Sequence, residues 1–167
     1  DELELDPHKP TAVIFSHVLW DTTYTYGRVI HFDFESWLLE AVQLAVDNPN
    51  LNWVVKLHPH LAWIFKDTPD DTELYDVQAL RRVTAELPHH VRLVMPDSKI
   101  NTFSFFSLTD YCLTVQGTIG LEMACFGIPV ITAGTGRYAG LGFTTDVTTQ
   151  SAYRDLLTSL HQKPLTM

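Results

Sequence analysis

The hydrophobic pattern of the chain alternates between short apolar runs and longer segments with a helical repeat. Five runs are β-branched or aromatic and have the length of buried strands. They span residues 11–16, 53–57, 91–94, 111–115 and 129–133. Between them, apolar residues recur at steps of three and four, which predicts amphipathic helices. This order predicts an α/β fold: a Rossmann-like parallel sheet with helices on both faces.

Helix boundaries are marked by capping and helix-breaking residues. Asp33 is placed to cap a helix whose apolar face starts at Phe34 and Trp37, and an Asn-Pro-Asn run at residues 48–50 ends it. Gly127 suits the left-handed position after a helix at residues 117–126. Further helices are predicted around residues 77–87, 101–107 and 153–160. Residues 61–75 are predicted to be an irregular, acidic surface segment.

The length of 167 residues fits one domain. We predict that residues 1–10, which are acidic, form a linker from a preceding domain and that residues 11–167 form the domain itself. The chain does not begin with Met, so we expect it to be part of a longer protein with half of its active site elsewhere. No apolar run approaches the eighteen residues of a membrane span.

The composition of the chain limits the classes of ligand that it is expected to bind. The formal net charge is −9 and there are only eleven Lys and Arg residues, so general binding to nucleic acid is not expected. A nucleotide can still bind through backbone N–H groups at a helix start, which require no net positive charge. Cys112 and Cys125 stand in apolar surroundings and are predicted to be reduced core residues of a cytosolic protein.

Polar residues follow several predicted strands, at the edge of a parallel sheet where ligands bind. Ser16 follows the first strand and His58-Pro59 the second. Gln116, Gly117 and Thr118 follow the fourth. Residues 134–142, which are rich in glycine, follow the fifth, and we predict that they form a mobile lip whose Tyr138 offers a stacking face.

The segment from Gln116 to Glu122 (QGTIGLE) opens the predicted fourth-strand helix. Gly117 lets the backbone approach a ligand, the helix start favours a phosphate, and the Thr118 hydroxyl adds a donor. Glu122, one turn on, can accept hydrogen bonds from a ribose or base. The alternative is a simple helix start with Glu122 paired elsewhere. The segment matches neither a Walker A loop nor Gly-x-Gly-x-x-Gly.

His58 lies between a strand and a proline that stiffens its backbone, so its imidazole can donate to a phosphate or carboxylate. It can instead be a structural histidine, or bind a metal with His60, although no third ligand is apparent. No serine-hydrolase elbow, Cys-x-x-Cys pair or Asp-x-Asp pair is present. His89 and His90 precede a strand at the opposite edge and are expected at the surface.

The order of motifs resembles a known family. Lys-x-His-Pro at residues 56–59 is followed by Asp-Tyr-x-x-Thr at 110–114, then by Gly-Thr-x-Gly-x-Glu-x-x-x-x-Gly-x-Pro-Val at 117–130 and Tyr-x-Gly at 138–140. Over residues 11–160 this resembles the C-terminal Rossmann-like domain of two-domain (GT-B) glycosyltransferases of bacterial surface polysaccharides. The likeness is greatest to capsule-synthesis proteins and Kdo transferases. The His-Pro element also occurs in bacterial sialyltransferases and teichoic-acid glycerophosphotransferases.

The resemblance implies roles for particular residues. His58 and Pro59 would contact the donor nucleotide, and Gly117 and Thr118 would hold its phosphate. Gln116 would lie beside them and Glu122 near the ribose. We also include Ser16 and Tyr138 among the predicted ligand-binding residues, because they follow strands at the same edge of the sheet. Sialyltransferases have a Ser-Ser or Ser-Thr pair where this chain has Gly-Thr. The catalytic carboxylate of such enzymes comes from the N-terminal domain, so no catalytic residue is assigned.

The function predicted from the sequence is binding of a nucleotide-sugar donor within a glycosyltransferase of capsule or lipopolysaccharide synthesis, with CMP-Kdo as a candidate donor and no metal. The acceptor would be a saccharide or glycolipid. We expect a cytoplasmic location, with peripheral association at the inner membrane as an option. The alternatives are half of a nucleotide-sugar epimerase and a non-catalytic nucleotide-binding module.

Overall fold

The structure is a computed structural model that describes residues 3–21, 27, 29–64, 66, 73–162 and 165. The strands are β1 (Thr11–Phe15), β2 (Asn52–Lys56), β3 (Val91–Val94), β4 (Tyr111–Thr114), β5 (Val130–Thr132) and β6 (Thr145–Asp146). The helices are α1 (Phe34–Asp47), α2 (His60–Ile64), α3 (Tyr75–Leu80), α4 (Thr118–Cys125) and α5 (Gln150–Ser159), and Thr102–Ser107 form a 3-10 helix.

All strand pairings are parallel, and the sheet order is β3-β2-β1-β4-β5-β6. Val13 on the first strand pairs with Val54 on one side and with Cys112 on the other. The order reverses between β1 and β4, so the connections leaving these two strands run to opposite sides. In open sheets of this kind a crevice forms at the carboxyl ends at that point.

The two faces of the sheet bury separate apolar clusters, because side chains alternate along each strand. Ala12 and Ile14 pack in one cluster with Trp37 of α1. Val13 packs in the other with Phe105 of the 3-10 helix, as does Met123 of α4. The predicted α/β class, a Rossmann-like parallel sheet with helices on both faces, is therefore confirmed.

The α1 helix begins where its cap predicts. The Ser36 N–H donates to Asp33 Oδ1 at 2.7 Å, so one of the otherwise unpaired N–H groups of the first turn is satisfied. Two buried polar contacts fasten α1 to α5: Trp37 Nε1 donates to the Tyr153 hydroxyl at 3.0 Å, and Asn48 Nδ2 donates to the Leu157 carbonyl at 3.1 Å. These bonds set the angle of α1 over the sheet.

The structure adds two elements that the sequence does not announce. The β6 strand has only two residues, Thr145 and Asp146, and no apolar run marks it. The α2 helix, His60–Ile64, lies where an irregular segment is predicted, and it buries only Leu61. Most of the remaining acidic residues of that segment lie outside the described residues.

The leading residues pack against the domain. Asn52 Nδ2 donates to the carbonyls of Asp6 and Lys9 at 2.8 and 3.0 Å, and Arg92 Nε donates to the Leu3 carbonyl at 2.8 Å. Residues 3–10 are thus held by β2 and β3. Their role as a link to a preceding domain stays a prediction.

Two expectations about burial are wrong. His90 is buried instead of lying at the surface. Its Nε2 donates to the Ala45 carbonyl at 3.1 Å, near the end of α1, where the last helix carbonyls lack partners within the helix. Cys125 is exposed on α4, whereas Cys112 on β4 is buried as expected. None of the helices among the described residues has the length and apolar character needed to cross a membrane.

Candidate functional site at the carboxyl edge of the sheet

A cavity of about 210 Å³ opens at the carboxyl ends of β1, β2 and β4. This is where the strand order reverses, so the position agrees with the general rule for ligand sites in such sheets. Three chain segments and the 3-10 helix meet there. The lining residues are Phe15, Ser16, His17, Lys56, Leu57, His58, Pro59, Thr102, Thr114, Gly117, Thr118, Ile119 and Glu122.

The turn from β4 to α4 presents a helix start to the cavity. Gly117 is the N-terminal residue before α4, and no side-chain hydrogen bond caps this helix in the described part of the chain. The Gly117 N–H donates to Thr114 Oγ1 at 3.2 Å, and a Cβ at Gly117 would lie only 2.9 Å from that oxygen. Glycine is therefore required for space, and the first N–H groups of α4 remain available to an anion.

The His58 ring is oriented by two backbone contacts. The backbone N–H of His58 donates to Ser16 Oγ at 2.9 Å, and the backbone N–H of His60 donates to His58 Nδ1 at 3.2 Å. Because Nδ1 accepts, the proton of the neutral ring is on Nε2, which leaves a donor. Burial lowers the pKa of His58, with further contributions from His60 and Lys56. His58 thus enters the cavity edge as a neutral hydrogen-bond donor.

His17 braces the turn instead of contributing charge. Its Nε2 accepts from the Val115 N–H at 3.2 Å and lies 3.2 Å from Thr114 Oγ1, while its ring stacks on Phe34 with centroids 4.3 Å apart. Burial, followed by the nearby His58, lowers the pKa of His17 to about 4. His17 is therefore neutral at physiological pH and holds Thr114 in position beneath Gly117.

Lys56 supplies the cavity with a buried positive charge. The residue is 7% exposed, and its Nζ lies 5.8 Å from the centroid of the Phe105 ring. Burial lowers its pKa. Among the described residues, no carboxylate forms an ion pair with it. A buried ammonium without an acidic partner is unfavourable unless an anion arrives to pair with it.

The structure brings together six of the eight predicted site residues. Around the cavity lie Ser16, His58, Pro59, Gly117, Thr118 and Glu122.

Gln116 and Tyr138 do not line the cavity. Gln116 is buried, and a Cβ at Gly136 would lie 3.1 Å from its Cβ. Tyr138 is buried behind the turn, with its hydroxyl donating to the Gly117 carbonyl at 2.7 Å. The Tyr138 ring therefore cannot stack on a ligand in this cavity, because its hydrogen bond to Gly117 holds it behind the turn. Mobility of residues 134–142 stays a prediction.

Sequence reasoning missed two functional candidates, Lys56 and His17. Lys56 is the last residue of an otherwise apolar buried strand, and a lysine in that position could have been noticed as a buried charge. His17 directly follows Ser16 at the same edge. No local pattern distinguishes its bracing contacts from those of an exposed histidine.

A metal site has no support from clustered ligands. Over the described residues, no group of three or more His, Cys, Asp or Glu side chains is arranged to hold an ion. The rings of His58 and His60 lie 6.3 Å apart, nearly perpendicular. Ligand binding without metal stays a prediction.

The strand order and the cavity at its switch point define a Rossmann-like α/β domain. The chain belongs to the capsule polysaccharide biosynthesis protein family, whose model matches residues 43–159. This confirms the family resemblance found in the motifs. No curated protein sequence matches the chain.

Solved structures confirm the fold at low sequence identity. A β-Kdo 2,7 transferase, KpsC of Thermosulfurimonas dismutans, has 23% identity and a TM-score of 0.58, over 86% of this chain and 40% of that one. The β-Kdo 2,4 transferase of the same KpsC has 17% identity and a TM-score of 0.55, over 93% and 45%. UDP-GlcNAc 2-epimerase from Neisseria meningitidis, bound to UDP-GlcNAc, has 16% identity and a TM-score of 0.63, over 96% and 38%. The chain thus spans less than half of each.

Proposed function

We propose that this chain is the donor-nucleotide-binding part of a glycosyltransferase of capsule polysaccharide synthesis, and that the donor phosphate binds in the cavity at the switch point. One observation carries the proposal: three groups that attract an anion meet there. They are the start of α4 after Gly117, the donor ring of His58 and the ammonium of Lys56, which has no ion-pair partner among the described residues. Their combination is specific for a small anion in an otherwise acidic protein.

These groups also suit the chemistry of glycosyl transfer. When the sugar leaves, negative charge builds up on the nucleotide phosphate. The N–H groups of α4, the Thr118 hydroxyl, His58 and Lys56 would stabilise that charge without a metal. Glu122, which lines the cavity, would accept hydrogen bonds from a ribose or base. No general base is assigned among these residues.

A cytidine-nucleotide donor, with CMP-Kdo as the candidate, is supported by the His-Pro element and by the likeness to two β-Kdo transferases. The cavity volume of about 210 Å³ is below the roughly 300–1,000 Å³ of pockets that enclose a whole ligand. A cavity of this size suits the phosphate and its neighbouring groups. The acceptor would be a saccharide or glycolipid, handled on the cytoplasmic side of the inner membrane.

A nucleotide-sugar epimerase is the second candidate, and the observation that favours it is the likeness to UDP-GlcNAc 2-epimerase. The two candidates differ first in the nucleotide, since an epimerase of that kind would require a uridine diphosphate. A non-catalytic module would retain binding without turnover.

The test is isothermal titration calorimetry of the 167-residue chain with CMP, CDP, UDP, GDP and ADP, with and without chelator. We expect CMP to bind in the micromolar to millimolar range and chelator to have no effect. Preference for UDP would favour the epimerase. If no nucleotide bound at millimolar concentration, the proposal would be wrong.

A further inference from the structure

The segment that follows β5 donates a buried hydroxyl to the turn that lines the cavity. Tyr138 is 6% exposed, and its Oη donates to the Gly117 carbonyl at 2.7 Å. That carbonyl also accepts from the Gly120 N–H at 3.0 Å. It therefore has two donors, one from within α4 and one from a residue that is distant in sequence.

Fixing the Gly117 carbonyl fixes the neighbouring N–H. The carbonyl of Gly117 and the N–H of Thr118 belong to the same planar trans peptide unit, in which they point in opposite directions. When Tyr138 holds the oxygen behind the turn, the Thr118 N–H is directed to the opposite side. The cavity is lined there by Gly117, Thr118 and Ile119.

A second feature of α4 matches Tyr138 independently. Gly120 lies inside the helix, where glycine is less favourable than alanine. A Cβ at Gly120 would lie 2.2 Å from Tyr138 Oη and 2.9 Å from its Cζ. The phenol thus occupies the space that a side chain at position 120 would fill.

The tyrosine is itself held by the sheet. Asp146 on β6 accepts from the Gly140 N–H at 2.6 Å and from Thr132 Oγ1 at 2.9 Å, which ties residues 138–140 to β5 and β6. The Tyr138 ring also lies near that of Phe143, with centroids 6.0 Å apart. A neutral hydroxyl is assured because burial raises the pKa of Tyr138.

We infer that Tyr138 is a positioning residue that orients the Gly117–Thr118 peptide toward the bound anion, so that the segment after β5 acts as a buttress of the site. This inference rests on the proposed function, because it assumes that an anion binds at the turn. It concerns affinity for the phosphate and involves no contact between Tyr138 and the ligand.

The first experiment compares Tyr138→Phe with Tyr153→Phe by calorimetry, using CMP and inorganic phosphate as ligands. Both substitutions remove one buried hydroxyl that makes a hydrogen bond, but the Tyr153 partner is Trp37, which is not among the residues that line the cavity. We expect Tyr138→Phe to raise Kd for both ligands about fivefold, the usual net effect of one hydrogen bond, and Tyr153→Phe to leave Kd unchanged. In NMR spectra, Tyr138→Phe should move the Thr118 amide resonance and Tyr153→Phe should not.

The second experiment uses the close contact at Gly120. Gly120→Ala should weaken binding because its Cβ displaces the phenol oxygen, and adding Tyr138→Phe should restore part of the lost affinity because the oxygen is then absent. A purely structural role would make the double variant worse than either single one.

The outcomes separate the two levels of inference. If the wild-type chain binds CMP and Tyr138→Phe binds it equally well, the positioning role is overturned while the proposed function stands. The same conclusion follows if Tyr153→Phe loses as much affinity. If the wild-type chain binds neither CMP nor phosphate, the proposed function fails and the role of Tyr138 fails with it.

Discussion

Two segments at the carboxyl edge of the sheet contain glycines, yet they use them for different physical purposes. At the β4–α4 turn, Gly117 has φ −66°, a conformation open to any residue, and it is glycine because a Cβ would lie 2.9 Å from Thr114 Oγ1. After β5, Gly140 and Gly142 have φ of +77° and +87°, and no atom lies within 4 Å of the place where a Cβ would be. Gly117 is glycine because a side chain would not fit there, whereas Gly140 and Gly142 have a positive φ that other residues rarely adopt.

The comparison shows that glycine content alone does not identify a ligand loop. The turn at Gly117 lines the cavity, whereas the segment after β5 supports that turn through Tyr138. The turn that lines the cavity and the segment that supports it therefore both contain glycines, although only the turn lines the cavity. The following three predictions on CMP affinity test this division, from the largest expected effect to the smallest, and a fourth prediction concerns stability.

Gly117→Val should abolish binding of CMP, because the side chain would collide with Thr114 Oγ1 and occupy the approach to the helix start. Circular dichroism should show that the fold is retained. Gly142→Ala is the matched control: the left-handed φ costs stability, about 1 kcal/mol, without blocking anything. Full CMP affinity in Gly117→Val would place the anion elsewhere.

Lys56→Met should weaken CMP binding about tenfold or more, since hydrogen bonds to charged groups contribute roughly 1.5–3 kcal/mol. The free energy of unfolding should stay the same or rise, because the variant no longer buries an ammonium that lacks an acidic partner in the described part of the chain. Lys99→Ala removes an exposed lysine outside the cavity and should change neither quantity. Denaturant titration and calorimetry on the same samples distinguish these effects. A loss of stability with unchanged affinity would mean that Lys56 is structural.

Thr118→Val should weaken CMP binding about tenfold, because one hydroxyl donor to a charged phosphate is lost at nearly constant volume. Thr118 is exposed and at the first position of α4, so stability should change little. Thr148→Val, at another exposed threonine away from the cavity, is the control. Wild-type affinity in the Thr118 variant would contradict the proposed phosphate grip.

The last prediction concerns stability instead of CMP affinity, and it tests His17, the brace beneath the turn. Its folded-state pKa of about 4 lies below the unfolded value of 6.5, so at acidic pH the unfolded chain binds a proton that the folded chain refuses. As pH falls from about 6.5 toward 4, wild type should lose stability relative to His17→Gln by up to about 1.4 kcal/mol per pH unit. Denaturant titrations at several pH values give this difference.

A second titrating group, Asp76, changes the stability in the opposite direction over the same pH range, and the comparison with His17→Gln removes its contribution. Burial raises the pKa of Asp76 from 3.8 to about 6, so that group destabilises the fold as pH rises through the same window. Asp76 is present in both proteins, and its contribution cancels. A difference that does not vary with pH would show that His17 titrates normally.

Much of the fold could be predicted because its signals are local. The apolar run at Thr11–Phe15 is long enough for a strand that is buried on both faces, and Asp33 caps α1 as its position indicates. Gly127 adopts φ +75° directly after α4, as expected for a helix end. β6 could not be predicted, since two polar residues become a strand only by pairing with β5.

The sequence was sufficient to predict that the candidate site lies at the carboxyl edge of the sheet, but not which side chains contact one another there. The position of Ser16, His58 and Gly117 after their strands was sufficient to place them together, because parallel strands end at one edge. Lys56 was missed because its burial depends on tertiary contacts such as that with Phe105, 49 residues further on. Tyr138 was assigned a ligand contact because its sequence context does not indicate which way the ring turns.

The sequence by itself determined strands β1 to β5, the α1, α4 and α5 helices, the cap of α1 and the family resemblance. All of these depend on neighbours within a few positions or on a linear order of motifs. The tertiary structure alone decided which of two glycine-bearing segments lines the cavity and that His17 braces the turn. It also decided that Lys56 is buried with no acidic partner among the residues that the structure describes. The physical reason is distance along the chain. Ser16 meets His58 across 42 positions and Tyr138 meets Gly117 across 21, so these contacts exist only once the sheet has formed.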